Sequence, residues 1–261
     1  MTVSEASGVQ PRAVLVIGAS GGIAQGVIET LALQEADTLI LAVSRAPQSP
    51  GLEKARLRWW QCDYSEAQIA ATLTECAGVL AAEGCRLDRV VVANGRLHEG
   101  ELQPEKRIES VSAATLLSVF ESNAVVPALW LKHLHRFLKR ELRGGATAAL
   151  AVLSARVGSI TDNGKGGWYA YRASKAALNM LVKTSAIEYQ RSLPALRFIA
   201  FHPGTTDTSL SKPFQRSVPE GKLFTPAFVA AALLARLDDA MASQPSEAAQ
   251  FLAYDGDQIP W

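Results

Sequence analysis

Seven short apolar runs punctuate the chain, at 13–19, 39–44, 56–62, 89–95, 148–154, 196–204 and 250–256. In "AVLVIGA", "LILAVS" and "AALAVLS" nearly every position is apolar, not every second one. Continuous runs of this kind predict strands buried on both faces, and therefore a parallel sheet. Longer amphipathic stretches separate them, at 22–34, 65–82, 112–140 (in one piece or two), 168–191 and 226–242, and these predict helices. Strand and helix alternate throughout. The expected architecture is one α/β domain over 12–261 with a doubly wound, seven-stranded parallel sheet. The segment 205–225, "TTDTSLSKPFQRSVPEGKLFT", breaks the alternation and is too long for an ordinary connection, so it is expected to serve as a substrate loop.

Composition narrows the function classes. A chain of 261 residues suits one large domain with a sizeable core. A net charge of +1, with Lys and Arg scattered, offers no footprint for nucleic acid and no polybasic membrane patch. Apolar runs fall short of about 20 residues, so no membrane span is expected. Residues 1–11 lack an apolar leader core and read as a flexible tail. Cys62, Cys76 and Cys85 have neither paired nor metal-type spacing, which suits free thiols in a reducing cytoplasm and no metal site. His133 and His135 sit two apart on one helix, face different ways and read as packing residues.

The first strand runs directly into "GASGGIA". Gly18, Gly22 and Ala24 are spaced G-x-x-x-G-x-A, with Ser20, Gly21 and Ile23 in the same turn. Gly18 permits the tight turn and Gly22 clears a Cβ from the path of a pyrophosphate. The free N–H groups at the helix start then hold its charge. This predicts a Rossmann-type dinucleotide site. The second strand ends in Ser44 and Arg45, where a cofactor with a free ribose 2′-hydroxyl would favour an acid. An arginine there suits a 2′-phosphate, so NADP(H) is preferred, with NAD(H) as the alternative.

The stretch "GGWYAYRASKAALN" carries the candidate chemistry. Tyr171 and Lys175 are i, i+4 and share one helix face, whereas Tyr169 is about 600° of rotation from the lysine and points away. Bringing a phenol from its usual value near 10 to neutrality takes roughly 4 kcal/mol. A cation about 4 Å away at an effective dielectric near 20 supplies energy of that order. Trp168, beside the pair, is a candidate for the mouth of the site.

The glycine turn, "ANG" at 93–95, Asn123, Tyr171–Lys175 and "HPGTTDT" at 202–208 occur in the order that resembles the short-chain dehydrogenases/reductases. The segments 154–179, 202–215 and "YDGDQIPW" most resemble the C-factor and sniffer type branch. The resemblance spans 13–261. It implies an NAD(P)-dependent oxidoreductase acting on a small carbonyl or secondary alcohol, and a homodimer or homotetramer paired through 112–140 and 168–191. It further implies that Tyr171 is the general acid or base. Lys175 would hold the nicotinamide ribose and acidify the tyrosine, and Asn123 would anchor a water. Asn94 and Gly95 would line the cofactor wall, and Asp63 would contact adenine. Pro203, Gly204, Thr206 and Thr208 would face the carboxamide and phosphates.

One position departs from the family. Aligned on the shared V-G of "SARVGSI", Ala155 stands where a serine normally polarises the substrate oxygen. Ser154 is one residue early, on the opposite strand face, and Ser159 is the alternative. The departure keeps open a second reading, a non-catalytic nucleotide-sensing or signalling protein on an enzyme scaffold. A nucleotide-sugar epimerase would read Gly18, Gly21 and Ala24 as its motif, but only about 85 residues follow Lys175, little for a sugar domain.

Overall fold

The computed structural model describes residues 10–49, 51–52, 56–100, 102–243 and 247–261. Chain order is β1 Arg12–Ile17, α1 Gly22–Gln34, β2 Leu39–Ser44, β3 Leu57–Gln61, α2 Glu66–Glu83, β4 Arg86–Val92, α3 Ala113–Phe120, α4 Val126–Glu141, β5 Ala148–Leu153, α5 Tyr169–Gln190, β6 Leu196–His202, β7 Thr205–Thr206, β8 Leu223–Phe224, α6 Pro226–Ala242 and β9 Ala249–Ala253. Most of the expected N-terminal tail, residues 1–9, lies outside the described residues.

Seven strands form one parallel sheet in the order β3-β2-β1-β4-β5-β6-β9. Side chains alternate faces along each strand. Val14 and Val16 therefore meet α1 and α6, while Leu15 and Ile17 join the core beneath α2, α4 and α5. Burial on both faces is what made the strands read as unbroken apolar runs. Strand order reverses between β1 and β4, and ligands of such sheets bind beyond the carboxyl ends at that reversal. Gly26 lets α1 approach α6: a Cβ there would lie 2.7 Å from the Pro226 carbonyl oxygen.

Several details add to or depart from the sequence-based expectation. β4 begins at Arg86 rather than 89, because its charged start is buried through ion pairs. Arg89, 1% exposed, bonds Glu35 at 2.8 Å and Asp238 at 2.7 Å, and buried Asp88 pairs with Arg12. The long middle helix is α3 and α4 joined by a π turn, Glu121–Val125, with Asn123 at its centre. By length and composition the run Ala113–Glu141 would reach across a bilayer, although no such segment was expected. Its Trp130, Leu131, Leu134 and Leu138 are packed in the core. The irregular 205–225 segment holds the β7–β8 pair and a 3-10 turn, Lys212–Ser217.

Candidate active site

The β1–α1 turn is shaped by close backbone approach. Gly18 has φ +80°, and a Cβ on it would sit 3.0 Å from the Ala93 carbonyl carbon and 3.1 Å from the Asn94 nitrogen. Gly21 precedes α1 in extended geometry, with no side-chain cap and no acid in the first turn. The opening N–H groups of α1 are thus left for an anion. At Gly22 a Cβ would lie 2.7 Å from the Thr208 methyl, so this glycine admits the 205–225 loop. Ser44 donates to the Ser20 hydroxyl at 2.7 Å and ties the turn to the end of β2.

Beyond β2, Arg45 lines a hollow of about 360 Å³ with Gln61, Asp63 and Gln68. Its guanidinium lies 5.7 Å from the Tyr64 ring centre, and it makes no ion pair among the described residues. The Asp63 carboxylate accepts the Ser65 N–H at 2.7 Å, and hydrogen bonds from Ser65 hold its pKa below the usual value.

An inner cavity of about 180 Å³ gathers Gly21, Gly22, Ile23, Asn94, Gly95, Ser154, Tyr171, Lys175, Pro203 and Thr208, ten of the expected residues. An outer cavity of about 490 Å³ lies against Ala155, Trp168, His202 and the 3-10 turn. Tyr171 lines both and stands at the boundary between them. Asn94 Oδ1 is buried beside the inner cavity without a partner, a polar atom that a bound cofactor could satisfy. Unlike these residues, Thr206 lines neither cavity; it is buried with its hydroxyl unpartnered among the described residues, and Gly204, φ +70°, gives way to the Phe224 ring.

Tyr171 and Lys175 share one face of α5, but the ammonium is turned to a backbone carbonyl and not to the phenol. Lys175 is 2% exposed and donates to the Leu153 carbonyl at 2.9 Å, and its Nζ is 6.0 Å from the Tyr171 ring centre. Burial pushes the phenol up to about 12 and the ammonium down to about 8. Desolvation disfavours each charged form, so both groups lean towards neutrality. Asn123 is fully buried; its amide donates to Arg96 O at 2.8 Å and Ser174 Oγ at 3.0 Å and accepts from Arg96 N at 2.6 Å. The side chain thereby pins the loop after β4 to α5.

Neither candidate serine joins Tyr171 at the outer cavity. Ser154 donates to Asn179 Oδ1 at 2.5 Å, and Ser159 accepts the Asp162 N–H and lines a separate hollow. Ala155, in extended geometry, is the residue that faces the outer cavity. On the adjacent strand His202 lines the same cavity. Burial and the nearby Arg156 charge hold its pKa down at about 4, so the ring is neutral at physiological pH.

Two supports of α5 escape sequence reasoning. Glu105, buried in the loop after β4, accepts the Ala170 N–H at 3.1 Å, placing a carboxylate at the N-terminus of α5. Trp168 adopts φ +53°, rare for an aromatic residue, and donates its N–H to the Glu105 carbonyl. No local pattern announces a cap delivered from 65 residues away.

A doubly wound sheet, an uncapped glycine turn at its strand reversal and two cavities meeting at a buried tyrosine define a Rossmann-like α/β scaffold with a candidate site beyond the carboxyl ends of its strands. The chain belongs to the short-chain dehydrogenase family, whose sequence profile matches residues 12–218. It is 27% identical over 256 residues to 1-hydroxy-2-glutathionyl-2-methyl-3-butene dehydrogenase of Rhodococcus sp. (strain AD45), covering 95% of this chain and 99% of that one. To the C-signal protein of Myxococcus xanthus it is 33% identical over 120 residues, 46% of this chain and 65% of that one. The fold superimposes on the carbonyl reductase Sniffer of D. melanogaster with a TM-score of 0.78 at 19% identity, covering 96% and 100% of the chains. It also matches a short-chain dehydrogenase/reductase from Burkholderia multivorans with bound NADP, TM-score 0.72 at 20% identity, covering 97% and 100%.

Proposed function

We propose that the protein is an NADP(H)-dependent oxidoreductase that reduces a small-molecule carbonyl, or oxidises the corresponding secondary alcohol, with Tyr171 as the proton-transferring group. The observation that carries this reading is the position of Tyr171: among the described residues it is the one titratable group lining both cavities. A phenol at about 12 is protonated at neutral pH, which suits a donor to a developing alkoxide. Lys175 spends one of its three donors on Leu153 O and keeps two for the ribose hydroxyls of the cofactor. Gly95 lies beside the ammonium, its Cβ position 3.8 Å from the lysine Nζ. The nicotinamide, when bound, supplies or accepts the hydride. Asn123 acts as a positioning residue, since its amide is already committed to Arg96 and Ser174. Oligomer contacts fall on the exposed Leu117, Val125, Met180 and Ile187 of α3, the π turn and α5. Three free, buried cysteines suit a reducing cytoplasm.

NADPH consumption against a panel of quinones, diketones and aldehydes tests the reading. The unpaired Arg45 beside its hollow favours NADPH over NADH by about tenfold or more in kcat/KM, the worth of one charge-assisted hydrogen bond. Arg45→Ala is expected to raise KM for NADPH and leave KM for NADH in place. Equal cofactor use by the wild type would remove the 2′-phosphate role.

Ala155 favours the sensing alternative, because its methyl group cannot polarise a substrate oxygen. Dinucleotide binding without turnover of any carbonyl would select it. Under the enzyme reading, Ala155→Ser restores a donor at the cavity wall. Donors of this kind carry about 10²–10³ in kcat, and a newly placed hydroxyl is expected to recover about tenfold of that. Unchanged or lower kcat in Ala155→Ser would mean that Tyr171 or His202 already meets the substrate oxygen.

A further inference from the structure

We propose that the substrate of the outer cavity is an anion: an aromatic or branched apolar body carries the carbonyl at one end and a carboxylate or phosphate at the other. This rests on the oxidoreductase reading and narrows it to a substrate class. The cavity wall is divided by chemistry. Around Tyr171 it is apolar, formed by Leu97, Val157, Trp168 and Phe214. Trp168 stands between the other two rings, its centre 5.0 Å from Phe214 and 6.1 Å from Tyr171, and its plane is inclined at 58° and 74° to theirs, so the three rings make an angled aromatic wall. The remaining wall carries Arg156, Arg216 and Lys222 and, among the described residues, no Asp or Glu.

That imbalance is local. The chain as a whole carries a net charge of only +1. Lys212, on the same 3-10 turn as Arg216, is neutralised by Asp207 at 3.6 Å, and Arg156 is shared with Asp162 at 3.7 Å. Arg216 and Lys222 make no ion pair among the described residues, and Glu220, between them in sequence, does not line the cavity. Both unpaired cations belong to the 205–225 segment, whereas Tyr171 belongs to α5. A ligand that reaches from the phenol to the cations therefore bridges the loop and the helix. A cavity of about 490 Å³ lies within the usual range for small-molecule sites, about 300–1,000 Å³. Exposed cations contribute modestly and are screened by salt.

Two pairs of probes separate charge from shape: 4-formylbenzoate against 4-formylbenzamide, and the 4′-formylbiphenyl-4-carboxylate against its amide. Each pair is matched in size and differs in charge. Dissociation constants are measured calorimetrically on the full-length protein saturated with NADP, so that no turnover intervenes. At low ionic strength the carboxylate of at least one pair is expected to bind about tenfold tighter than its amide. That ratio should collapse towards one at about 0.5 M salt and in the Arg216→Gln/Lys222→Gln double variant, while Arg216→Lys retains it. A ratio near one in the wild type, or one that survives the double variant, overturns the proposal. NADPH consumption measured in parallel judges the enzyme reading separately. Charge-selective binding without turnover would sink the reductase reading and leave the anion site standing. Turnover with no charge preference would do the reverse.

Discussion

Tyr171→Phe is expected to lower kcat for carbonyl reduction by about 10³-fold, within the range for removing a positioned acid, with NADPH affinity unchanged within a few-fold. The substitution deletes one oxygen at the boundary of the two cavities and leaves the ring packed beside Trp168. Burial sets the accompanying pH dependence. Lys175 is held down at about 8, so the free protein loses that charge as pH rises through about 8, and kcat/KM should fall above that point. The stability sign follows from the same shifts. Between about 8 and the ordinary lysine value of 10.5 the folded chain binds fewer protons than the unfolded one, so stability rises with pH across that window. Tyr171 acts oppositely: its folded value near 12 exceeds 10, so its contribution is lost as pH climbs above 10. Stopped-flow reduction rates for wild type and Tyr171→Phe decide the catalytic claim. Rates within tenfold of each other would take Tyr171 out of proton transfer.

The acidification of Tyr171 by Lys175, expected from i, i+4 spacing, illustrates what a sequence carries and what it withholds. Spacing alone places Tyr171 and Lys175 on one helix face, and they lie there. Whether the ammonium is turned to the phenol depends on competing acceptors, and the Leu153 carbonyl of a neighbouring strand takes it. The helices were legible because their apolar faces repeat with helical period. α1 and α6 begin and end where the pattern does, at Gly22–Gln34 and Pro226–Ala242. The start of β4 was not, because Asp88 and Arg89 are charged yet buried, their cost offset by Arg12, Glu35 and Asp238 far along the chain. The same holds at the site. The glycine turn announces itself locally through Gly18, whereas the Glu105 cap on α5 and the Thr208 methyl against Gly22 are products of tertiary closure. The sequence frame at Ser154–Ala155 did carry through. The strand alternation that set Ser154 apart from Ala155 turns one towards Asn179 and the other to the outer cavity.

Gly158→Ala should prove the most damaging change that touches no reacting group. Gly158 closes the short turn Arg156–Gly158 directly onto α5, and an added methyl would lie 2.8 Å from both the carbonyl carbon and the Cβ of Lys175. Those atoms belong to the middle of a packed 22-residue helix and cannot swing aside as a flexible side-chain tip would. The turn must therefore lift away from α5. It carries Arg156, with Ala155 before it and Val157 within it, all three lining the outer cavity against Tyr171. Overpacking of this kind costs about 1–3 kcal/mol, which for a domain of this size lowers Tm by roughly 3–10 °C. Activity should suffer more than stability, because a displacement of about 1 Å between substrate wall and proton donor can cost about 10²-fold in rate. Gly164→Ala provides the control: it lies in the following loop with no atom within 4 Å of its added Cβ, and its Tm and kcat should match the wild type. Calorimetry and steady-state kinetics on the two variants separate the terms. A Gly158→Ala protein that melts earlier yet turns over at the wild-type rate would show that the cavity wall re-seats independently of α5.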